Sequence, residues 1–308
     1  MSSEVTPQLP MVSVIIPVYD DTARLQSCLE RLAAQTYPSD RWEVIVVDNG
    51  SKTSPREIVE RFPFCRFAEE SMPGSYAARN RGLKMAQGQA IAFTDSDCLP
   101  AANWLEEGVR AIGSASTKQF AGGRIEIVPN DINRPTAIEL YDMAFGLNQK
   151  INVLLLHHAA TANMFAPVEL FRLVGPFDST VKSGGDMEWG QRAARHGASV
   201  LFADRAVVSH PARTTYAEIL RQTRRHVGGR ADRKRMSAGR FKTLHFWKTL
   251  WRSIVPDVGK IGHAKRLLRE RGYGTVAWLR TIPVVLAVQY VRLWEFLRKF
   301  LGFPSERR

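Results

Sequence analysis

The stretch AIAFTDSDCLP, residues 90–100, begins with five apolar or small residues and then brings two carboxylates together, Asp95 and Asp97. The run AIAFT is typical of a strand buried in the core of a domain. Two neighbouring carboxylates at the end of a buried strand repel each other and lose hydration, which costs free energy unless a cation or a ligand offsets it. We therefore interpret the stretch as a core strand that ends in a binding site.

Apolar runs upstream of this strand alternate with helical patterns. Three more strands are indicated by MVSVIIPVYD, WEVIVVD and CRFAE, at residues 11–20, 42–48 and 65–69. Between the first two, apolar residues recur at intervals of three and four over residues 22–35, as on one face of a helix. Alternating strands and helices predict βαβ units, and hence an α/β fold with a mostly parallel sheet and helices on both faces.

The pattern changes past residue 118. QFAGGRIEIV, residues 119–128, predicts an edge strand, and residues 134–149 predict a helix. The segment 183–210 predicts a glycine-flanked acidic turn, a helix and a final pair of strands.

The carboxyl ends of the predicted strands carry polar side chains. Tyr19 and Asp20 follow the first strand, and Asp48 closes the second. Ligands of open parallel sheets bind at these ends, so we expect the acids to converge on one crevice with Asp95 and Asp97. The turn PVYDDTAR after the first strand contains no glycine, which excludes a dinucleotide fingerprint and a P-loop there. A nucleotide in this crevice would need another group to neutralise its phosphates.

The D-x-D pair can hold a hard divalent cation. Mg²⁺ and Mn²⁺ take oxygen ligands from one or two carboxylates and from substrate phosphates. Such an ion would offset the charge that develops on a leaving nucleoside diphosphate. The alternative interpretation is that one of the aspartates only caps the helix that follows.

Five segments, taken together and in this order, resemble the inverting glycosyltransferases of family 2. They are VSVIIPVYDD, VIVVDNGS, GSYAARNRGL, AFTDSDCLP and GGDMEWGQRA, and the resemblance covers roughly residues 11–230. It implies a GT-A fold with a Rossmann-like sheet, and an enzyme that moves a sugar from a nucleoside-diphosphate donor to an acceptor. A UDP-sugar is the favoured donor and Mg²⁺ or Mn²⁺ the cofactor. The expected acceptor is a glycan or lipid-linked molecule of surface polysaccharide or glycolipid synthesis.

The resemblance also implies roles for individual residues. Nucleotide-sugar contacts are implied for Pro17, Val18, Tyr19, Asp48, Arg79, Asn80, Asp95 and Arg225. Asp97 would be the principal metal ligand, with Asp95 beside it. Residues that would contact the acceptor or support the site are Asn163, Glu188 and Gln222.

A Q-x-x-R-W element found in processive members is matched only in part. Gln222 and Arg225 agree with it, but His226 replaces the aromatic residue, which argues against processivity. Arg225 can still meet a diphosphate, because a guanidinium group binds phosphate with two parallel hydrogen bonds. A solvated basic helix face is the competing interpretation.

Asp186 is the residue for which chemistry and resemblance agree. An alcohol that displaces a nucleoside diphosphate from a sugar must lose its proton, and a positioned carboxylate can accept it. The family often has Glu-Asp where this chain has Gly185-Asp186, so we assign the base to Asp186 and keep Glu188 as the alternative. Aspartate is also a good N-cap, so a plain helix start is the competing interpretation.

The last third of the chain is strongly basic. Residues 205–308 contain 24 Lys and Arg against 6 Asp and Glu, a net charge of +18 in a chain whose total is +13. Within it, the uncharged stretch 281–291 has 11 residues, whereas a membrane-spanning helix needs about 20. Nearby basic and aromatic residues are Arg280, Arg292, Trp278, Tyr290 and Trp294. This pattern favours an amphipathic extension on an anionic membrane surface, with a single membrane pass or a packed helical hairpin as alternatives.

These patterns divide the chain into an N-terminal tail (1–10), a glycosyltransferase domain (11–215) and a basic, helical, membrane-associating extension (216–308). Residues 11–118 would form the nucleotide-sugar half of the domain and residues 119–215 the acceptor half. No signal-peptide pattern opens the sequence, so we expect a peripheral or monotopic protein at the cytoplasmic side of the cell membrane. No nucleic-acid-binding motif accompanies the basic residues, so nucleic acid is not an expected partner.

Two alternative functions stay open. Transfer to a polyprenyl phosphate needs no base, because a phosphate acceptor is already ionised. A non-catalytic, membrane-associated scaffold could keep the nucleotide-binding fold. The complete acidic set argues against a scaffold: Asp48, Asp95, Asp97 and Asp186.

Overall fold

The computed structural model describes residues 9–113, 117–181, 183–224, 258–301 and 303. These residues fall into two compact units. The first unit lies within Met1–Glu126, Asn148–Thr180 and Gly185–His210, and the second within Ile127–Leu147, Val181–Gly184 and Pro211–Arg308.

The described residues form a mixed set of strands and helices. The strands are β1 (Val12–Val18), β2 (Trp42–Asp48), β3 (Cys65–Glu69), β4 (Ala90–Thr94), β5 (Leu99–Pro100), β6 (Gln119–Val128), β7 (Asn163–Pro167) and β8 (Ser199–Pro211). The helices are α1 (Thr22–Ala33), α2 (Arg56–Val59), α3 (Ser75–Met85), α4 (Trp104–Ile112), α5 (Ala137–Phe145), α6 (Gln149–Leu154), α7 (Val168–Val174), α8 (Gly185–Arg195), α9 (residues 216–224), α10 (Val258–Glu270) and α11 (Thr275–Phe300), and a 3₁₀ turn spans Ser39–Arg41.

The strands form one sheet in the order β3-β2-β1-β4-β7-β6-β8-β5. β1 pairs in parallel with β2 and β4, and β2 pairs in parallel with β3, so that Val18 lies beside Asp48. β7 runs antiparallel to β4 and to β6, and β5 runs antiparallel to β8. The predicted α/β fold is confirmed, and its parallel part is the part that the apolar runs predicted.

The strands β1, β2 and β4 form the core of the first unit, because every one of their residues is buried. Burial on both sides explains why their sequences are continuous apolar runs. α4 approaches the sheet at Gly108, where a Cβ atom would lie 2.1 Å from Cζ of Phe165. No side chain fits in that space, so glycine permits the close packing of α4 on β7.

A small apolar core stabilises the second unit. Its buried members are Tyr141, Ile219, Val284, Val285 and Val288. A capping box begins α5, since the Thr136 side chain accepts the Glu139 N–H and the Glu139 carboxylate accepts the Thr136 N–H. On the same helix, the buried Asp142 carboxylate pairs with Arg213 at 2.8 Å. α5 is therefore fixed at its start, on its apolar side and at its last turn.

Two local predictions were wrong. QFAGGRIEIV, which we expected at an edge, is β6 and lies between β7 and β8. The expected pair of final strands is one strand, β8, because Asp204 and Arg205 break the apolar pattern without ending the strand. Both side chains are exposed, and Asp204 pairs with Arg124 of β6 at 2.9 Å.

Candidate functional site

The D-x-D turn follows β4, and a hydrogen bond from the Cys98 N–H to the Asp95 carbonyl oxygen closes it at 3.1 Å. The Asp95 carboxylate pairs with the guanidinium group of Arg79, which α3 carries. The Arg79 side chain is 4% exposed, against 32% for that of Asp95. The buried arginine thus fixes Asp95 and leaves part of its carboxylate accessible to a ligand.

Asp97 lies close to a histidine and an arginine from other parts of the first unit. The His210 Nε2 atom is 3.6 Å from Asp97 Oδ2, and the Arg24 Nη1 atom is 3.9 Å from the same oxygen. Burial raises the pKa of the Asp97 carboxyl and Asp95 raises it further, whereas His210 and Arg24 oppose the rise. A divalent cation beside Asp97 would relieve this cost, because it stabilises the ionised carboxylate.

The donor atoms around Asp97 fit a divalent metal ion. Asp97, Cys98 and His210 each bring one ligand atom to within 4.8 Å of the other two. Burial raises the pKa of the Cys98 thiol well above its usual range, so the thiol stays protonated and is a poor ligand. The Asp97 carboxylate and the imidazole, with Asp95 on the same turn, suit Mn²⁺ and also admit Mg²⁺. His210 was not predicted from the sequence, because a lone histidine carries no motif and only strand register places it here.

The ends of β1 and β2 are tied together by hydrogen bonds. Asp48 is buried, and its Oδ1 atom accepts the backbone N–H and the hydroxyl of Ser51. The Ser51 hydroxyl accepts the N–H of Asp20 at 2.9 Å, and Asp20 Oδ1 accepts the N–H of Lys52 at 2.7 Å. The two strand ends therefore form one connected rim beside the D-x-D strand.

Three residues at the end of β1 were predicted to contact the nucleotide-sugar. Pro17 and Val18 are buried in the strand, whereas the Tyr19 side chain is exposed. Asp20 follows in the left-handed region at φ 49°, which aspartate tolerates better than most residues. Tyr19 is thus the member of the three whose side chain reaches the surface.

Asn80 of α3 holds the segment that precedes α8. Its Nδ2 atom donates to the carbonyl oxygen of Phe177 at 2.8 Å, and its Oδ1 atom accepts the N–H of Phe177 at 3.0 Å. The Phe177 ring packs against those of Tyr76, Phe93 and Trp189. Asn80, predicted on the donor side, therefore connects α3 to the segment before α8.

Asp186 lies in the first turn of α8 and contacts Tyr76 of α3. The Tyr76 hydroxyl donates to Asp186 Oδ1 at 3.2 Å and accepts the Asp186 N–H at 3.3 Å. Burial and the Asp186 carboxylate raise the pKa of Tyr76, so its hydroxyl stays protonated and available as a donor. Tyr76 belongs to the quoted segment GSYAARNRGL, but nothing in that segment alone indicates its partner.

Glu188 has a structural partner of its own. Its carboxylate accepts a hydrogen bond from Arg192 Nε at 2.7 Å, one turn further along α8. Arg192 in turn donates to the carbonyl oxygens of Val174 and Pro176, each at 2.6 Å. Glu188 therefore orients an arginine that connects α8 to the end of α7.

Asn163 is fully buried at the start of β7. Its Oδ1 atom accepts the indole N–H of Trp104 at 2.9 Å, and its Nδ2 atom donates to the carbonyl oxygens of Arg124 and Ala206, each at 2.9 Å. The side chain that we expected near the acceptor thus connects β7 to α4, β6 and β8.

Gln222 and Arg225 complete the set of predicted residues. Gln222 is half-buried in α9 and belongs to the second unit. Arg225 and His226 lie outside the described residues. The candidate site as described is therefore built by the first unit.

The sequence profile of the family described as Glycosyl transferase family 2 matches residues 13–172. Glycosyltransferase AglE of Haloferax volcanii is 40% identical over 223 residues, which cover 70% of this chain and 72% of AglE. WfgD of Escherichia coli, a UDP-Glc:alpha-D-GlcNAc-diphosphoundecaprenol beta-1,3-glucosyltransferase, is 33% identical over 124 residues. That match covers 39% of this chain and 48% of WfgD, less than half of its length.

Solved structures share the fold. The mannosyltransferase PcManGT of Pyrobaculum calidifontis, in complex with GDP-Man and Mn²⁺, matches with a TM-score of 0.62 and 20% identity. The match covers 96% of this chain and 88% of PcManGT. At this identity the likeness concerns the fold, and it confirms the predicted GT-A architecture.

Proposed function

This chain belongs to glycosyl transferase family 2, and on that premise we propose that it is an inverting, metal-dependent enzyme that moves one sugar from a nucleoside diphosphate to a glycan or lipid-linked acceptor. The observation that carries the proposal is the cluster of Asp95, Asp97 and His210 at the carboxyl end of β4. An open parallel sheet binds ligands at this edge, and the cluster offers the donor atoms that Mn²⁺ or Mg²⁺ requires.

The proposed reaction is a single displacement. Asp95, Asp97 and His210 would hold the ion, which supplies positive charge against the leaving diphosphate when bound. Asp186 would take the proton of the acceptor hydroxyl while the hydroxyl oxygen forms a bond to the anomeric carbon. The bond from that carbon to the diphosphate oxygen breaks on the opposite side, and the nucleoside diphosphate leaves with the electron pair. Attack opposite the leaving group inverts the anomeric centre.

Asp186 is preferred to Glu188 as the base for a geometric reason. Glu188 is paired with Arg192, which connects two helices, so moving or protonating Glu188 would disturb packing. Asp186 is half-buried at the start of α8, and the hydroxyl of Tyr76 contacts one of its carboxylate oxygens.

We propose a UDP-sugar as the donor. WfgD, which matches part of this chain, is described as a UDP-Glc transferase, and its acceptor is a diphosphoundecaprenol-linked sugar. PcManGT, which shares the fold, binds GDP-Man, so GDP is the nucleotide to test against UDP.

Thermal unfolding of the full chain tests the metal site and identifies the base of the donor. The wild type and Asp97→Ala are heated with UDP, GDP or ADP, each with and without Mn²⁺. A ligand at 100 times its Kd adds about 2.7 kcal/mol to the free energy of unfolding. We expect Tm to rise most with UDP, only when Mn²⁺ is present, and not in Asp97→Ala. Asp40→Ala, which removes a 78% exposed carboxylate, is the control and should respond like the wild type.

Two results would change the proposal. If no diphosphate stabilises the wild type, a non-catalytic scaffold that retains the fold is the better account. If a diphosphate binds but Asp186→Asn transfers sugar as fast as the wild type, the acceptor is already ionised, as a polyprenyl phosphate is. We expect instead that Asp186→Asn binds the diphosphate normally and transfers at least roughly 10²-fold more slowly.

We further propose that α11 attaches the protein to the cytoplasmic face of a membrane. Its segment Thr275–Arg298 is long and apolar enough to cross a bilayer, with a mean hydropathy of 1.3 in an 18-residue window, of which 28% is buried. Large exposed apolar side chains are Val276, Leu279, Tyr290 and Trp294, between 50% and 73% exposed. They recur at helical spacing, so they form one outward stripe, which we call the apolar stripe.

The buried side of α11 favours a helix that lies in the plane of the membrane. Thr281, Gln289 and Glu295 are buried there, and Glu295 pairs with Arg298 at 3.1 Å. Polar groups packed on protein and an apolar stripe facing outward are typical of an interfacial helix. Arg280 and Arg292 are exposed on the same helix, and the net charge of +18 beyond residue 204 would attract anionic lipids.

Co-sedimentation with vesicles tests this attachment. We expect the full chain to bind phosphatidylglycerol-containing vesicles, to bind phosphatidylcholine vesicles weakly, and to be released by high salt. The double variant Tyr290→Glu, Trp294→Glu should lose binding, whereas Ile132→Glu, at a 62% exposed site of the same unit, should keep it. Resistance of the membrane-bound protein to salt and alkaline carbonate would indicate a spanning helix instead.

A further inference from the structure

Tyr76 and Asp186 are joined by two hydrogen bonds through one hydroxyl group. The hydroxyl donates to the carboxylate at 3.2 Å and accepts the backbone N–H of the same residue at 3.3 Å. Tyr76 is 8% exposed, so its ring has little freedom to leave this position. The backbone and the carboxylate of Asp186 are therefore both held by a rigid, buried group.

Gly185 makes this contact possible. A Cβ atom on Gly185 would lie 2.8 Å from Cε2 of the Tyr76 ring, closer than real Cβ atoms approach other atoms. The first turn of α8 can thus rest on the ring only because residue 185 has no side chain. A larger residue at position 185 would have to displace the Tyr76 ring.

Tyr76 also lies next to the D-x-D turn through Arg79. The Arg79 Cζ atom is 5.7 Å from the centre of the Tyr76 ring, and the guanidinium group pairs with Asp95. Tyr76 and Arg79 are three residues apart on α3, so they lie on the same side of that helix. One helix therefore contacts both the residue proposed to hold the metal ion and the residue proposed as the base.

We propose that Tyr76 is a positioning residue that holds the Asp186 carboxylate in the orientation needed to deprotonate the acceptor. Gly185, which has no side chain, leaves the space that the Tyr76 ring occupies. This inference rests on the proposed role of Asp186 as the base. A carboxylate that rotates freely spends little time aligned with the acceptor, and misplacement of a base by about 1 Å can cost two orders of magnitude in rate.

Steady-state kinetics of the full chain test the inference. The probe is hydrolysis of UDP-glucose or GDP-mannose with Mn²⁺, whichever nucleotide stabilises the protein, followed as release of the nucleoside diphosphate. We expect Tyr76→Phe to lower kcat about tenfold and to change KM less than about twofold, since ground-state binding of the donor is preserved. Stabilisation by the diphosphate with Mn²⁺ should equal that of the wild type. Tyr37→Phe, which removes a hydroxyl that donates to the Pro10 carbonyl at 2.7 Å, should leave kcat unchanged.

A double-variant cycle separates positioning from an independent effect. If Tyr76 acts through Asp186, then Tyr76→Phe lowers kcat in the wild type and has no further effect in Asp186→Asn. Equal effects in both backgrounds would overturn the inference, and so would a wild-type kcat in Tyr76→Phe. If Asp186→Asn alone leaves kcat unchanged, the proposed base itself is wrong, which is a different outcome.

Glycine variants give a second route that retains the tyrosine. Gly185→Ala should lower kcat at least as much as Tyr76→Phe, because the new methyl group displaces the ring. Gly262→Ala, on α10 where a Cβ would meet nothing within 4 Å, is the matched control and should keep a wild-type kcat. Unchanged kcat in Gly185→Ala would show that the contact with the ring is not needed for turnover.

Discussion

The His210 Nε2 atom lies 3.6 Å from Asp97 Oδ2 because two short strand segments pair just beyond the D-x-D turn. Leu99 is opposite Ser209 in the antiparallel pair of β5 and β8, so the residue after Ser209 meets the residues before Leu99. This register places an imidazole beside a carboxylate that comes from a distant part of the sequence.

Removal of that imidazole should weaken Mn²⁺ binding more than Mg²⁺ binding. Imidazole nitrogen is a better ligand for Mn²⁺ than for Mg²⁺, which prefers oxygen. We expect His210→Ala to need at least about ten times more Mn²⁺ than the wild type for half-maximal stabilisation by the diphosphate. This corresponds to a loss of ~1.4 kcal/mol in the free energy of Mn²⁺ binding. The control is His196→Ala, at an exposed position between the end of α8 and the start of β8. An unchanged Mn²⁺ midpoint in His210→Ala would mean that the imidazole is not a ligand.

Asn163→Ala should reduce stability far more than it affects acceptor binding. The substitution leaves the buried Trp104 indole N–H and two strand carbonyl oxygens without this partner. Unsatisfied buried polar groups cost about 1–3 kcal/mol each, so we expect a loss of about 3 kcal/mol in the free energy of unfolding. Urea unfolding measures it, with the exposed Asn103→Ala as the control. A stable Asn163→Ala variant with a raised acceptor KM would instead support the role predicted from the sequence.

Glu188→Ala should destabilise the first unit without abolishing turnover. It removes the partner of Arg192, a charge-assisted hydrogen bond worth about 1.5–3 kcal/mol. We expect kcat to stay within about threefold of the wild type, against the loss of at least roughly 10²-fold proposed for Asp186→Asn. Thermal unfolding and sugar transfer are measured on the same preparations. If Glu188→Ala lowered kcat more than Asp186→Asn does, Glu188 would be the better assignment for the base.

Glu139 should make stability depend on pH in the acidic range. Burial opposes its ionisation, but hydrogen bonds from the N–H groups of Asn130 and Thr136 outweigh burial and lower its pKa below the ordinary 4.5. A depressed acid pKa adds stability above the unfolded-state value, and that stability is lost as the pH falls through the folded-state value.

The corresponding variant is Glu139→Gln. We expect it to be less stable than the wild type by about 1 kcal/mol at neutral pH, the usual worth of a helix cap. The difference in Tm should shrink as the pH falls below about 4.5, because the wild type then protonates. Glu270→Gln, at an exposed position on α10, serves as the comparison. A Tm difference that is constant from neutral pH to strong acid would contradict the conclusion that the Glu139 carboxylate is ionised in the folded protein at neutral pH.

Local patterns predicted the parallel part of the sheet and the D-x-D turn, because residues that are contiguous in the sequence determine both features. The buried strands β1, β2 and β4 are apolar runs, and Asp95 and Asp97 come directly after one of them. His210 and Tyr76 were not predictable in this way, since their roles depend on register and on the approach of α8 to α3. The position of β6 in the sheet was misjudged for the same reason: an edge strand and an inner antiparallel strand have similar patterns.

Asn163 shows a second limit of sequence reasoning. A polar residue at a strand end invites a functional interpretation, yet here all three hydrogen bonds of its side chain go to the protein core. Only the partners, which come from three other elements, reveal that role.

The spacing of Tyr76, Arg79 and Asn80 on α3 has an evolutionary consequence. If one residue were inserted or deleted between Tyr76 and Asn80, the two ends of this segment would rotate relative to each other by about 100°. The contacts of these side chains with Asp186, Asp95 and Phe177 would then no longer form together. The geometry of α3 therefore fixes the relative positions of these three side chains across the site. Homologous chains that keep these three contacts should vary in length before Ser75 or after Met85, and should change within this span by substitution alone.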